Sequence, residues 1–147
     1  SLIARLREDL NAASNNYDKV VIDLGAGVDR TVRSLAMMAA LSVVIITPEP
    51  TSLTDSYAYI KLLCSKPPYP DIRIVVNMAD SREDGEKAYK TLLKACQSFL
   101  KISPPLLGVI RRDKAVTDSI RRQEPIFTSA PNSQAAQDVK SIASLLL

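Results

Sequence analysis

Four short apolar runs, separated by segments with helical periodicity, constrain the fold of this chain more than any other feature. The runs are predicted strands at residues 19–23, 42–47, 72–76 and 106–110. They are apolar along most of their length, which is typical of strands covered on both faces. Strands of this kind that alternate with helices form parallel sheets with right-handed crossovers. The sequence therefore predicts an α/β fold, with a parallel sheet flanked by helices on both faces.

Helices are expected before, between and after these strands. Periodicity places them at residues 2–13, 31–40, 52–64, from 81 or 82 to 101, 114–120 and from 132 or 133 to the end. Ser52 and Asp55 resemble a capping box, which predicts that one helix starts at Ser52, after a loop forced by Pro48 and Pro50. Asp113 is well placed as the N-cap of the helix that follows the last strand.

Composition limits the organisation and the chemistry. A chain of 147 residues suits one domain spanning residues 1–147. It has no His and no Trp, so imidazole bases, imidazole metal sites and indole stacking are excluded. The net charge of +3 is scattered along the chain, so we expect no nucleic-acid partner. Cys64 and Cys96 lack any CxxC spacing, which favours buried reduced thiols and a cytoplasmic location.

Polar residues and glycines follow the predicted strands. The first run ends in Asp23, followed by Gly25 and Gly27, which together offer one carboxylate and bare backbone to a phosphate. Asn77 and residues 111–113 follow two later strands. Because the carboxyl ends of parallel strands meet at one edge, we expect a ligand site there. No GxxxxGK[ST] loop precedes the first run, so the sequence indicates half of a nucleotide site.

Each of these positions also has a purely structural interpretation. Asp23 can cap the following turn, and Gly25 and Gly27 can supply positive φ. Asn77 can cap the next helix as readily as it can bind a base.

The arginines near the carboxyl terminus are similarly ambiguous. Arg111, Arg112, Arg121 and Arg122 suit either a basic patch for acidic lipids or DNA, or a solvated helix face.

Four strings in this order identify a resemblance. They are VVIDLGAG, VVIITPEPTSLTDSYAYIK, IVVNM and LGVIRRDKAVTDSIRRQEPIF. The chain resembles the MinD/ParA class of ATPases, and most closely its FlhG (also called FleN) branch. The resemblance runs from about Tyr17 to the last helix and lacks the amino-terminal portion with the P-loop and the switch I aspartate. It implies the P-loop NTPase fold of the MinD (SIMIBI) type, truncated at the N-terminus.

The resemblance also implies a cofactor and metal site. Members bind ATP and Mg²⁺ and dimerise around the nucleotide. Asp23 matches the Walker B position, which holds magnesium through water and is assigned a catalytic role together with Gly27. Gly25 and Gly27 match the switch II turn near the terminal phosphate, and Asn77 matches an asparagine that binds adenine.

Arg111 and Asp113 match the segment that flanks the base. Arg111 stands where many relatives have proline, which is a departure from the pattern. The string DLGAG, in place of DxPAG, agrees with the FlhG branch.

These expectations give a leading functional hypothesis. The chain is interpreted as the carboxyl-terminal portion of a MinD-like ATPase domain that controls the placement or number of flagella, or another cell-pole machine. Without the P-loop the isolated chain is expected to be inactive, and whether it is an enzyme is left open. The alternatives are a degenerate protein-interaction module and a ParA-like DNA-partitioning ATPase.

The hypothesis includes partners and a location. We expect a homodimer or other self-association, because loss of the P-loop strand would uncover one side of the sheet. A flagellar or polar protein is the expected partner. Membrane contact would use segments absent here, so the location is cytoplasmic or peripheral at the inner membrane.

Overall fold

The computed structural model describes residues 2–146, and its centre is a three-stranded parallel sheet. The strands are β1 (Leu41–Ile46), β2 (Asp71–Ala79) and β3 (Leu106–Arg111), in the spatial order β1-β2-β3. Both neighbouring pairs are parallel. β1 and β2 pair without interruption, whereas the β2–β3 register shifts twice. These three strands confirm three of the predicted runs to within a few residues.

The described residues also form seven α-helices. They are α1 (Leu2–Asn16), α2 (Arg30–Ala36), α3 (Pro50–Leu63), α4 (Arg82–Ala95), α5 (Lys114–Arg122), α6 (Ile126–Ser129) and α7 (Gln134–Ser144), and α4 continues into a π-helical turn at Cys96–Leu100. α3 contacts β1, α4 contacts β2 and β3, and α7 contacts β3. The short α6 is absent from the prediction.

Two glycines show that α4 and α7 lie on opposite faces of the sheet. A Cβ added at Gly85 of α4 would meet the side chain of Val109, and one added at Gly108 would lie 2.6 Å from Ile142 Cγ1 of α7. Gly108 and Val109 are neighbours in β3, so they face opposite sides. The prediction of an α/β fold with helices on both faces is therefore confirmed.

The core lies between the sheet and helices α3 and α4. Its fully buried side chains include Ile46, Ile60, Leu63, Ile74 and Leu92. In β1, buried Val44 and Ile46 alternate with Ile45, which is 54% exposed. The other face of β1 is thus left largely uncovered by the described residues.

The predicted strand at residues 19–23 is wrong. The described structure has no regular element between α1 and α2, and the side chain of Val21 is 92% exposed. β1 pairs only with β2, so this segment has no neighbouring strand. A β-prone run becomes a strand only where a partner takes its hydrogen bonds, because isolated extended chain gains too little to offset its entropy.

The predicted capping box is also wrong. α3 begins at Pro50, with Glu49 in the N-cap position and no side-chain cap. The missing N–H and fixed φ of Pro50 suit the first helical position. Ser52 instead closes the preceding turn, since its Oγ accepts a hydrogen bond from the Thr47 N–H at 2.9 Å.

Among all the helices described, none has the length and apolar character required to cross a membrane.

Candidate functional site

The carboxyl ends of the three strands lie at one edge of the sheet, and those of β2 and β3 are joined directly. The Arg112 N–H donates to the Ala79 carbonyl at 2.7 Å, continuing the pairing of Ala79 with Arg111. The Arg112 Nε also donates to Asp80 Oδ1 at 3.2 Å. The two predicted base-binding segments, at Asn77 and at residues 111–113, therefore sit on adjacent strand ends.

Asn77 lies where the β2–β3 pairing is interrupted. The register shifts between Val76 and Ala79, so Asn77 and Met78 fall outside regular pairing. Met78 has a left-handed φ of 58°, and its N–H donates to Asn77 Oδ1 at 2.9 Å. The hydrogen bonds found among the described residues leave the Asn77 Nδ2 group available as a donor. A carboxamide held in this way can recognise an acceptor on a base edge.

Arg111 ends β3 and is held by a buried carboxylate. Its Nε and Nη2 donate to Asp138 at 2.9 and 2.8 Å, and its backbone N–H donates to Asp138 Oδ2 at 3.0 Å. Arg82 of α4 adds a fourth bond, from Nη2 to Asp138 Oδ1 at 2.9 Å. The structure thus directs the Arg111 guanidinium to α7.

The electrostatics of this pair follow from burial and hydrogen bonding. Burial of the Asp138 side chain acts to raise its pKa, but the hydrogen bonds from Arg111 act against this and hold the pKa below its ordinary value. The same hydrogen bonds raise the pKa of Arg111. Both groups are therefore charged at neutral pH.

Asp113 accepts hydrogen bonds from the first turns of two helices. Its Oδ1 accepts from the Ala115 N–H of α5 at 2.9 Å, and its Oδ2 accepts from the Ala135 N–H of α7 at 3.0 Å. The bonds from Ala135 and then Ala115 lower its pKa. This confirms Asp113 as the N-cap of α5. The side chains of Arg111 and Asp113 are both bonded inside the protein. The Arg111–Asp113 turn would therefore meet a ligand chiefly through its backbone.

A shallow, open depression of about 330 Å³ adjoins this turn. It is lined by Arg112, Asp113, Lys114, Thr117, Asp118 and Arg121. Lys114 Nζ lies 2.6 Å from Asp118 Oδ2 and Arg121 Nη1 lies 4.0 Å from Asp118 Oδ1. Because Asp113 and Asp118 stand beside these cations, the surface here carries mixed charge, which favours the solvated-face alternative over a basic patch.

Asp23, Gly25 and Gly27 make no hydrogen bond to this network among the described residues, although Leu24 between them packs against the core. All three are exposed in the irregular segment, and no hydrogen bond described in the structure joins them to the strand ends. Gly27 has φ of 132°, so the expected positive φ is confirmed there. Gly25 lies outside the left-handed region. The structure therefore brings Asn77, Arg111 and Asp113 to one edge and does not join Asp23 to them.

The described side chains offer few of the ligands that magnesium needs. Within residues 2–146 no group of three or more His, Cys, Asp or Glu residues could hold a metal ion. Mg²⁺ is usually bound through one or two carboxylates together with waters and phosphates. A single exposed Asp23 fits an ion carried by a nucleotide and contacted through water, and does not fit a resident metal.

Asp138 and Arg82 are the polar residues of this region that sequence reasoning missed. A signal for Asp138 exists, because it shares the buried face of α7 with Ala135 and Ile142. A charged residue on such a face is almost never unpaired. Its partner could not be identified from the sequence, since 27 positions separate it from Arg111.

The fold and this edge define a class: a parallel α/β protein whose polar turns gather at the carboxyl ends of the strands. Proteins of this class bind ligands at that edge. A family model described as cellulose biosynthesis protein BcsQ matches residues 3–147. The chain therefore belongs to this MinD/ParA-type family.

Individual relatives agree with this assignment. Antiactivator FleN of Pseudomonas aeruginosa is 32% identical, with 95% of this chain and 50% of FleN covered. Flagellum site-determining protein YlxH of Helicobacter pylori is 26% identical, with 95% and 47% covered. Septum site-determining protein MinD of Pyrococcus horikoshii, solved with Mg-ADP, superposes with a TM-score of 0.76 at 22% identity, covering 98% of this chain and 56% of that one. The chain spans about half the length of these curated relatives.

Proposed function

We propose that this chain supplies the base-binding side of the nucleotide site in a MinD/ParA-type ATPase. The observation that carries the proposal is the juxtaposition of the Asn77 carboxamide with the Arg111–Asp113 turn on adjacent strand ends. The solved MinD with Mg-ADP supports adenine nucleotide and magnesium as the ligands. Asn77 would donate to the base, and the turn would flank it with backbone groups.

Asp23, Gly25 and Gly27 take the phosphate side in this proposal. A magnesium ion bound with the nucleotide would neutralise phosphate charge, and Asp23 would hold it through water. Gly25 and Gly27 would bring backbone N–H groups near the terminal phosphate, because glycines permit close approach. These residues would have to be brought to the phosphates by the irregular segment that carries them. Asp23 and Gly27 are the proposed catalytic residues.

The biological role proposed is control of the placement or number of flagella, or of another cell-pole machine. It rests on the relatives FleN and YlxH, the second of which is described as flagellum site-determining. A homodimer and a flagellar or polar protein are the proposed partners. The proposed location is the cytoplasm or the inner-membrane surface.

Titration with adenosine tests the base side without requiring the phosphate side. In ¹⁵N-labelled wild-type chain, up to about 10 mM adenosine should shift amide signals of Asn77, Met78 and residues 111–113, with affinity in the millimolar range. Asn77→Ala should abolish the shifts, whereas Asn16→Ala, at the end of α1, should leave them unchanged. Guanosine should bind more weakly because its base edge presents different donors and acceptors.

Two results would contradict this function. One is an absence of shifts at these residues at the highest adenosine concentration. The other is a set of shifts that maps elsewhere and survives Asn77→Ala. Separately, micromolar binding of a fluorescent ATP analogue would contradict the expectation that the isolated chain is inactive.

A further inference from the structure

The most completely bonded polar group at the carboxyl edge is the Asp138 carboxylate. Its side chain is fully buried, and it accepts four hydrogen bonds, three of them from Arg111. The described residues include no buried side-chain N or O atom without a partner, so this network is complete as it stands. Asp138 thereby joins α7 to the last residue of β3 and, through Arg82, to the start of α4.

The turn after β3 is held to α7 at both ends. Asp138 holds Arg111 at its beginning, and Asp113 at its end accepts the Ala135 N–H of α7. Beyond these polar contacts, Gly108 permits close packing of Ile142 of α7 on β3. Because α7 fixes both ends, the path of the turn depends on where α7 docks.

We propose that Asp138 is a positioning residue for the base subsite, an inference that rests on the proposed function. It holds the Arg111–Asp113 turn in the path that lets its backbone flank the base beside Asn77. The residue touches no ligand itself and acts through Arg111. Occupation of the subsite and docking of α7 are then coupled, since each favours the same arrangement of the turn.

The test compares adenosine affinity in two matched variants. Asp138→Asn keeps the shape of the side chain and removes the charge that holds Arg111. Asp71→Asn is the control, because Asp71 Oδ2 also accepts from Nε and Nη2 of an arginine, Arg73, but is half exposed and lies at the opposite end of β2. Asp138→Asn should weaken adenosine binding by about tenfold. Asp71→Asn should leave the Kd within twofold of the wild type.

A second variant keeps the inference testable if Asp138→Asn does not fold. Arg111→Lys retains the charge and loses the two-atom contact with Asp138, and it should also raise the Kd by several-fold. Affinity is measured from the shifts of folded-state signals, so a merely structural role would lower the melting temperature without changing the Kd.

The outcomes separate the inference from the proposed function. If the wild type binds adenosine and both Asp138→Asn and Arg111→Lys bind it equally well, the positioning role is refuted and the proposed function stands. If the wild type binds no adenosine, the proposed function fails and the inference fails with it. Weaker binding in these variants, together with unchanged binding in Asp71→Asn, supports the inference.

Discussion

The segment at residues 17–29 and the end of β3 begin from similar sequences and reach opposite structures. Each has an apolar run followed by an aspartate, Asp23 in one and Asp113 in the other. Val109 of β3 is 5% exposed, whereas Val21 is 92% exposed. β3 has β2 as a neighbour, α4 on one face and α7 on the other. The difference shows that strand propensity becomes structure only where backbone and side-chain partners exist.

The largest expected effect is on the free energy of unfolding, when a carboxylate of each region is removed in turn. Asp138→Ala leaves Arg111 partly buried without its counter-charge, and removal of one partner of a buried pair typically costs about 3–5 kcal/mol. Asp23→Ala changes an exposed residue and should alter the free energy of unfolding by less than about 0.5 kcal/mol. Urea denaturation of both variants measures these values. Equal losses in the two variants would contradict the distinction between the regions.

A smaller loss of folding stability is expected when the pH is lowered. The pKa values of Asp113 and Asp138 lie below their ordinary value in the folded chain, so the unfolded chain binds protons first as the pH falls. Their contribution is complete above the unfolded value of about 3.9 and is lost as the pH falls through the lower folded values. Urea denaturation between pH 7 and pH 3 should therefore show falling stability below about pH 5.

The variant Asp138→Asn provides the control for this pH dependence. It removes one of the carboxylates whose pKa is lowered in the folded chain, so its stability should fall less steeply with acid than that of the wild type. An identical slope in the variant would show that Asp138 does not titrate as proposed.

Local patterns were sufficient to predict much of this fold. The apolar runs predicted β1, β2 and β3, and Asp113 was correctly identified as a helix cap, because burial on both faces and capping leave local signals. The wrongly predicted strand at residues 19–23 and the Asp138–Arg111 pair both depend on residues that are far away in the sequence. No local pattern reports whether a neighbouring strand is present or which cation meets a buried carboxylate.

The smallest effect on stability is expected from a substitution at the free edge of β1. Such a substitution should instead change how strongly the chain self-associates. Within residues 2–146 this strand pairs only with β2, and its sequence, LSVVII, carries no charge and no proline. Edges of this kind tend to pair with other chains, and a lysine on the edge opposes such pairing. We expect the wild type to self-associate with rising concentration in light scattering and Ile45→Lys to do so less.

Phe99→Lys is the matched control for this edge. Phe99 is 75% exposed, but it lies in the π-helical turn after α4 and not in the sheet. Both lysine variants add the same charge, and each should change the free energy of unfolding by less than about 1 kcal/mol. If only Ile45→Lys reduces self-association, the edge of β1 carries it. A wild-type chain that stays monomeric at high concentration would refute the expected self-association.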